Sequence, residues 1–201
     1  MLVLVPVVVC LVFVLILILW AESNNHPTAP LPLNASNDNS TLGLSLTLRL
    51  NSTQITQGQF VDIVASVTND RASPNNVTAG LFKEGWLQGG ELTDGCYYLA
   101  NAAIFSGFYS IGNISGATHP LQLAEPTGRY SCPVRSEPWM SFFPFAPNET
   151  HIGFEFVASG YYSGYDAPTF FASFPVGAYT VVAGDTWGQL VVLHLEVHDS
   201  A

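Results

Sequence analysis

Leucine alternates with small or polar residues without a break from residue 42 to residue 50. Because successive side chains of a β-strand point to opposite faces, this period of two predicts a strand with one buried face. The turn-forming pair Gln57-Gly58 follows, and a second alternating stretch runs from Val61 to Thr68. A shorter stretch runs from Val77 to Leu81. This part of the chain is therefore predicted to form successive strands joined by turns.

The C-terminal end has the pattern of a β-hairpin. Apolar residues alternate from Tyr179 to Ala183, the turn formers Gly184 to Gly188 interrupt them, and a second apolar face runs from Val191 to Val197. After Trp20, no stretch of twelve or more residues has the apolar period of an amphipathic helix. The predicted fold class is therefore mainly β.

The middle of the chain fits the strand pattern less well. Residues 83–174 hold Gly-rich turns and most of the aromatic residues, with strand-like stretches at 104–111 and 152–158. We interpret residues 42–201 as one β-sandwich domain in which residues 83–174 form an elaborated insertion.

Three segments carry a resemblance to a known family. They are the turn at Gly58-Gln59, the following strand that ends at Asn69, and the Pro-X-Gly-X-Tyr motif from Pro175 to Tyr179. Over residues 42–82 and 175–198 the chain resembles the immunoglobulin-like, CARDB-type modules of archaeal and bacterial cell-surface proteins. The resemblance implies an antiparallel immunoglobulin-like sandwich. It also implies that the hydroxyl of Tyr179 bonds back to the backbone as a corner tyrosine, and a plain core tyrosine is the alternative.

Met1 to Trp20 form an apolar run without a charged residue. At about 1.5 Å per residue, a helix of this length reaches about 30 Å, the hydrocarbon thickness of a bilayer. The run is predicted to be a single transmembrane anchor with the C-terminal domain outside the cell, and a cleaved signal peptide is the alternative. Residues 21–41 are rich in Asn, Ser, Pro and Thr and are predicted to be a flexible extracellular spacer.

Six asparagines stand in the Asn-X-Ser/Thr pattern of N-glycosylation. They are Asn34, Asn39, Asn51, Asn76, Asn113 and Asn148, and none has proline in the middle position. The composition alone would give about two such triplets, so the excess indicates a glycosylated chain. The alternative is that an Asn- and Thr-rich β protein forms these triplets in its turns.

The cysteines agree with a location outside the cell. After Cys10, which lies within the apolar run, the chain has two cysteines, Cys96 and Cys132. An even number is expected for a disulfide in an oxidising compartment, and we predict that these two are bonded. Two buried free thiols are the alternative.

Charge and motifs disfavour several functions. Charged residues make up 10% of the chain and the formal net charge is −10, with five basic residues of which one is lysine. Five basic side chains are too few to neutralise a phosphate backbone. We therefore expect no nucleic-acid partner. No hydrolase, zinc-protease or phosphate-loop motif occurs, so we expect no enzyme activity and no cofactor. A rival hypothesis is a secreted hydrolase, in which two acidic residues far apart in sequence would meet in the fold. The low charge also fits an archaeal host.

One candidate metal site lies on the last predicted strand. His194, Glu196 and His198 would share its polar face, where neighbouring side chains are about 7 Å apart. Two of them could bind one metal ion together, although all three could not readily do so. A solvated strand face is the alternative.

A second candidate site is the segment from Ser159 to Tyr165. Its Tyr, Ser and Gly residues are those that adaptable binding loops favour, because they combine rigid aromatic area with flexible hydrogen bonding. Tyr161, Tyr162 and Tyr165 are therefore candidate recognition residues.

Together these features predict a membrane-anchored, glycosylated extracellular β-sandwich for adhesion, envelope attachment or surface assembly. Its expected partners are the lipid bilayer through the N-terminal helix and another surface protein or a glycan. One alternative is a membrane-tethered solute- or metal-binding protein. The other is a strand-exchanging surface filament subunit, since the strand at residues 42–50 follows a segment predicted to be flexible.

Overall fold

The fold is described by a computed structural model over residues 30–78, 80, 82–87, 99–117, 119–123, 142–163 and 170–200. Within these residues every regular element is either a β-strand or a 3-10 helix of one turn. The prediction of a mainly β chain is therefore confirmed, and so is the expectation that any helix in this part of the chain is short.

The strands follow one another along the whole described chain. In order they are β1 Asn34–Asn39, β2 Leu44–Leu50, β3 Gln54–Thr56, β4 Val61–Asn69, β5 Asn75–Thr78, β6 Ala100–Ser106, β7 Gln122–Leu123, β8 Phe142–Phe145, β9 Thr150–Ala158, β10 Gly160–Ser163, β11 Phe170–Ser173, β12 Gly177–Asp185 and β13 Leu190–His198. The two 3-10 turns are Gly85–Leu87 and Ile114–Gly116.

Two four-stranded sheets form the body of the fold. The first sheet has the order β1-β2-β4-β9 and is antiparallel throughout. The second sheet has the order β3-β13-β12-β6, in which only the short β3 runs parallel to its neighbour. Two smaller sheets, β11-β10-β7 and β5-β8, are built from the remaining strands.

The two large sheets bury their apolar faces in one core, in a sandwich-like arrangement. In β2 the four leucines from Leu44 to Leu50 are buried, whereas the residues between them are partly or fully exposed. The strand β4 repeats this pattern from Val61 to Val67. These side chains join one cluster with Tyr179, Val181 and Ala183 of β12 and the odd-numbered residues of β13. The alternation read from the sequence thus marks the residues that face the core.

Gly153 allows β9 to approach the second sheet closely. The pairing of β9 with β4 shifts register between Ala65 and Ser66, and Gly153 is the residue passed over at that bulge. A Cβ at this position would lie 2.4 Å from the backbone nitrogen of Ala100. Because a backbone atom cannot move aside as a side chain can, this contact requires glycine.

A smaller core covers the outer face of the second sheet. Phe105, Val182 and Leu190 pack there against side chains from the two 3-10 turns and their flanks, including Leu87 and Ile114. The ring of Trp86 meets Phe105 edge-on at a centroid distance of 5.0 Å. The second sheet is therefore buried on both faces along much of its length.

The predicted back-bond of Tyr179 is confirmed. Its hydroxyl donates to the backbone carbonyl of Pro175 at 2.7 Å. The ring is 3% exposed and packs against Phe174. Burial raises the pKa of Tyr179 to about 12, with a smaller contribution from Tyr161. The hydroxyl therefore stays protonated and acts as a donor.

The ordered domain begins earlier than the predicted boundary at residue 42. Strand β1 lies inside the predicted spacer 21–41 and pairs with β2 from Leu44 to Arg49. The compact unit starts at Leu31. The difference arises because β1 contains a single apolar residue, Ala35, so hydrogen bonds rather than an apolar face hold it in place.

Residues 83–174 are not simply an insertion between sandwich strands. Strand β9 is part of the first sheet and β6 is part of the second, so both large sheets depend on this region. The strand predicted at 104–111 also ends earlier, at Ser106, and Ile111 is 57% exposed in the following turn. The strands that pair with β6 and β9 lie far away in sequence. Apolar alternation alone therefore did not identify β6 and β9 as sandwich strands.

Several predictions fall outside the described residues. The anchor at Met1 to Trp20, the remainder of the spacer up to residue 29, and the cysteines Cys96 and Cys132 are among them. In the part of the chain that the structure describes, no helix has the length and apolar character needed to cross a membrane.

Candidate functional site: an aromatic hairpin

Tyr161 and Tyr162, two of the three candidate recognition residues, lie on β10 of the hairpin formed by β10 and β11. Its register pairs Gly160 with Ser173, Tyr161 with Ala172 and Tyr162 with Phe171. A Cβ at Gly160 would lie 2.1 Å from the carbonyl oxygen of Ala172. Only glycine therefore allows the two strands to pair at this position. Two residues of β10 also pair with β7, which attaches the hairpin to the rest of the fold.

Tyr161 faces inward rather than outward. It is partly buried against the main core and stacks on Phe174 at a centroid distance of 6.2 Å. Because neighbouring residues of a strand point to opposite faces, Tyr162 then points away from the core. Of the three predicted recognition tyrosines, Tyr161 is therefore a packing residue. Tyr165 lies outside the described residues.

Exposed aromatic rings occur on both faces of this hairpin. Tyr162 is 37% exposed and its cross-strand partner Phe171 is 53% exposed. Phe170, on the opposite face, is 67% exposed. Cross-strand partners share a face with their Cβ atoms about 5 Å apart, so Tyr162 and Phe171 lie side by side on one face of the hairpin. We call these two residues and Phe170 the aromatic hairpin.

Sequence reasoning missed both phenylalanines. Phe170-Phe171 is a pair of adjacent apolar residues, and in a strand with one buried face only one of them would reach solvent. In β11 both are exposed, because both faces of the hairpin are accessible at this position. Adjacent aromatics near a Tyr-, Ser- and Gly-rich segment were the available signal.

The exposed rings give the hairpin a surface suited to binding. Aromatic rings supply large, rigid contact area that stacks on sugar rings or packs against apolar side chains. Among the described strands, β11 lies at the edge of its sheet, where backbone groups can pair with another strand. The arrangement therefore favours recognition of a glycan or a protein.

The predicted metal residues lie on one face of β13 but have different neighbours. The ring of His194 stacks on Phe108 at 3.6 Å, and its Nε2 lies 2.9 Å from the carbonyl oxygen of Tyr109. His198 instead lies beside Glu196, with Nε2 and Oε2 3.7 Å apart. His194 is thus held by the loop after β6, which sequence reasoning could not place there.

Within the described residues, no group of three His, Cys, Asp or Glu side chains has the geometry to hold a metal ion. A further pair of such groups lies elsewhere, where His151 Nε2 is 3.3 Å from Glu149 Oε1. A hydrogen bond from the Ala146 backbone, more than the nearby imidazole, lowers the pKa of Glu149. Both pairs lie at the surface, where such contacts contribute little to stability.

All six sequon asparagines are described, and none is buried. Five are exposed, and Asn39 is partly exposed. The side-chain oxygens of Asn51 and Asn113 accept backbone hydrogen bonds, from Asp62 at 2.8 Å and Ser110 at 2.7 Å. Because an N-linked glycan is attached through the side-chain nitrogen, these bonds are compatible with modification.

No model of a protein family matches the chain. A comparison with curated proteins likewise finds no significant match.

Proposed function

We propose that this chain is a membrane-anchored, glycosylated extracellular protein whose β-sandwich mediates adhesion or assembly at the cell surface. It acts without catalysis, by presenting the aromatic hairpin to a glycan or to another surface protein. The immunoglobulin-like character of the sandwich is part of the same proposal.

The surface position of every sequon supports the extracellular location. A buried asparagine could not carry a glycan, and none of the six is buried. The apolar run Met1 to Trp20 supplies a route to the membrane. Glycans also suit a domain with few charged residues, since they keep such a surface soluble.

The observation that carries the contact role is the exposure of Tyr162 and Phe171 on one face of a hairpin. An exposed cluster of aromatic rings is costly in water unless a partner covers it for part of the time. No described residue of the chain itself closes over these rings enough to bury them.

Substitution of Tyr162 and Phe171 by serine tests this role. Cells or beads displaying the full chain are scored for attachment to each other and to surfaces coated with the native cell envelope. We expect the double variant Tyr162→Ser/Phe171→Ser to attach several-fold less than wild type, because it loses the stacking area. Circular dichroism should show the same β content, since the replaced side chains lie at the surface.

The matched control replaces exposed apolar residues elsewhere on the domain. Ile152, near the start of β9, is 41% exposed and Ile111 is 57% exposed, so Ile152→Ser/Ile111→Ser removes similar surface outside the two hairpin strands. This control should attach like wild type. Equal attachment by all three proteins would argue against the hairpin as the contact surface.

A further inference from the structure

Three polar side chains are buried at the turn between β12 and β13, although Gly188 in the same turn is exposed. Asp185 is 1% exposed, Thr186 8% and Gln189 6%. The backbone nitrogen of Asp185 donates to the carbonyl of Gln189 at 3.2 Å, which closes a short loop with Gly188 in the left-handed region at a φ of 89°. Asp185 and Gln189 are therefore neighbours across the end of the hairpin.

Asp185 uses one carboxylate oxygen to stabilise this turn. Its Oδ1 accepts hydrogen bonds from the backbone nitrogens of Trp187 at 3.0 Å and Gln189 at 2.8 Å. Its Oδ2 is buried and has no hydrogen-bond partner. No salt bridge among the described residues includes this carboxylate. The hydrogen bonds of the turn therefore account for the burial of Oδ1, but they do not account for the burial of Oδ2.

Two more oxygens of the same turn are buried without a partner. They are Oγ1 of Thr186 and Oε1 of Gln189. The amide nitrogen of Gln189 donates to the carbonyl of Asn37 in β1, which fixes the orientation of that amide. Leaving a buried polar atom unpaired is unfavourable, so three such atoms in one turn call for a common explanation.

The strand pattern places two of these side chains on the same side. Residues two apart in a strand share a face, so Asp185 lies on the same face as Val181 and Ala183. By the same rule, Gln189 lies on the face of Val191. Both series face the space between the sheets. Thr186 adjoins Asp185 in the loop, so the three oxygens belong to one end of the sandwich.

We propose that Asp185, Thr186 and Gln189 bind a hard divalent cation of the calcium type. A carboxylate, a hydroxyl and an amide oxygen are the donors that such ions prefer, and a cation offsets the buried negative charge that the hydrogen bonds leave on Oδ2. With one carboxylate the site is weak, with a Kd of about 10⁻⁴ to 10⁻³ M, the range of extracellular calcium modules. The inference rests on this turn alone and is independent of the adhesion role.

The test is a calcium titration of the full chain, starting from chelator-treated protein. The midpoint of thermal unfolding should rise by about 3 to 6 °C at saturating calcium chloride, because the ion binds only the folded turn. Terbium luminescence excited through tryptophan should report the same site, since Trp187 lies within the turn. Calcium should displace the terbium.

Two variants and a control make the test decisive. Asp185→Asn keeps the turn-forming oxygen, and Thr186→Val removes only the unpartnered hydroxyl, so both should fold. Asp185→Asn should lose the calcium-dependent rise and Thr186→Val should reduce it, whereas Asp62→Asn, at an exposed carboxylate, should keep it. The proposal is overturned if calcium leaves the wild-type midpoint unchanged, or if Asp185→Asn responds as strongly as wild type.

Discussion

Replacing Leu48 by alanine should lower the free energy of unfolding by about 2–5 kcal/mol. Leu48 is completely buried in the middle of β2. Its cross-strand neighbours are Ala35 of β1 and Ala65 of β4, both too small to fill the space that the substitution would leave. The loss therefore includes the cost of a cavity as well as the lost burial. Urea unfolding followed by tryptophan fluorescence measures it.

The adjacent Arg49 provides the control for this prediction. Its side chain points to the opposite, solvent-facing side of the same strand. Arg49→Ala should change the free energy of unfolding by no more than about 0.5 kcal/mol. If Leu48→Ala cost no more than Arg49→Ala, the two-sheet packing described for β2 would be incorrect.

Acidification from pH 7 toward pH 4 should strengthen the contribution of Asp185 to stability. Burial raises the pKa of this carboxyl to about 6, against smaller opposing effects of backbone hydrogen bonds such as that from Gln189. In the unfolded chain the pKa is near 3.8. Between these two values the folded state binds more protons than the unfolded state, so the free energy of unfolding rises as the pH falls.

The expected size of this effect is on the order of 3 kcal/mol, because two pKa units correspond to about 2.7 kcal/mol. Urea unfolding at several pH values, in buffer with a chelator, compares wild type with Asp185→Asn. The variant carries no titrating group at this position, so the difference between the two curves isolates Asp185. Parallel pH profiles for the two proteins would contradict the raised pKa.

The sequence predicted best the strands whose apolar faces alternate strongly. The leucines of β2 are buried as expected, and so are Val191, Leu193, Leu195 and Val197 of β13, because each strand has one face on the core. Strand β1 was missed because backbone hydrogen bonds to β2, rather than apolar side chains, hold it in place. The placement of β6 and β9 was missed because the sheet that a strand joins depends on partners distant in sequence.

The candidate sites were predicted only in part, and for related reasons. Residue composition pointed to the segment that contains Tyr162, but the direction of each tyrosine depends on the register of β10. The polar face of β13 was predicted correctly, yet the contact of His194 with Phe108 comes from a loop after β6. The turn that contains Asp185 resembles an ordinary hairpin turn in sequence. Its significance appears only once burial and hydrogen bonding are known.

Surface labelling of intact cells followed by glycan mapping tests the central claim most directly. Lys83, the one lysine of the chain, is exposed and can react with a membrane-impermeant amine reagent. The labelled protein is then digested, and the six sequon asparagines are examined by mass spectrometry for attached glycans. We expect Lys83 to be labelled on unbroken cells and glycans on the exposed asparagines. Labelling of Lys83 only after lysis, with all six asparagines unmodified, would contradict the extracellular account.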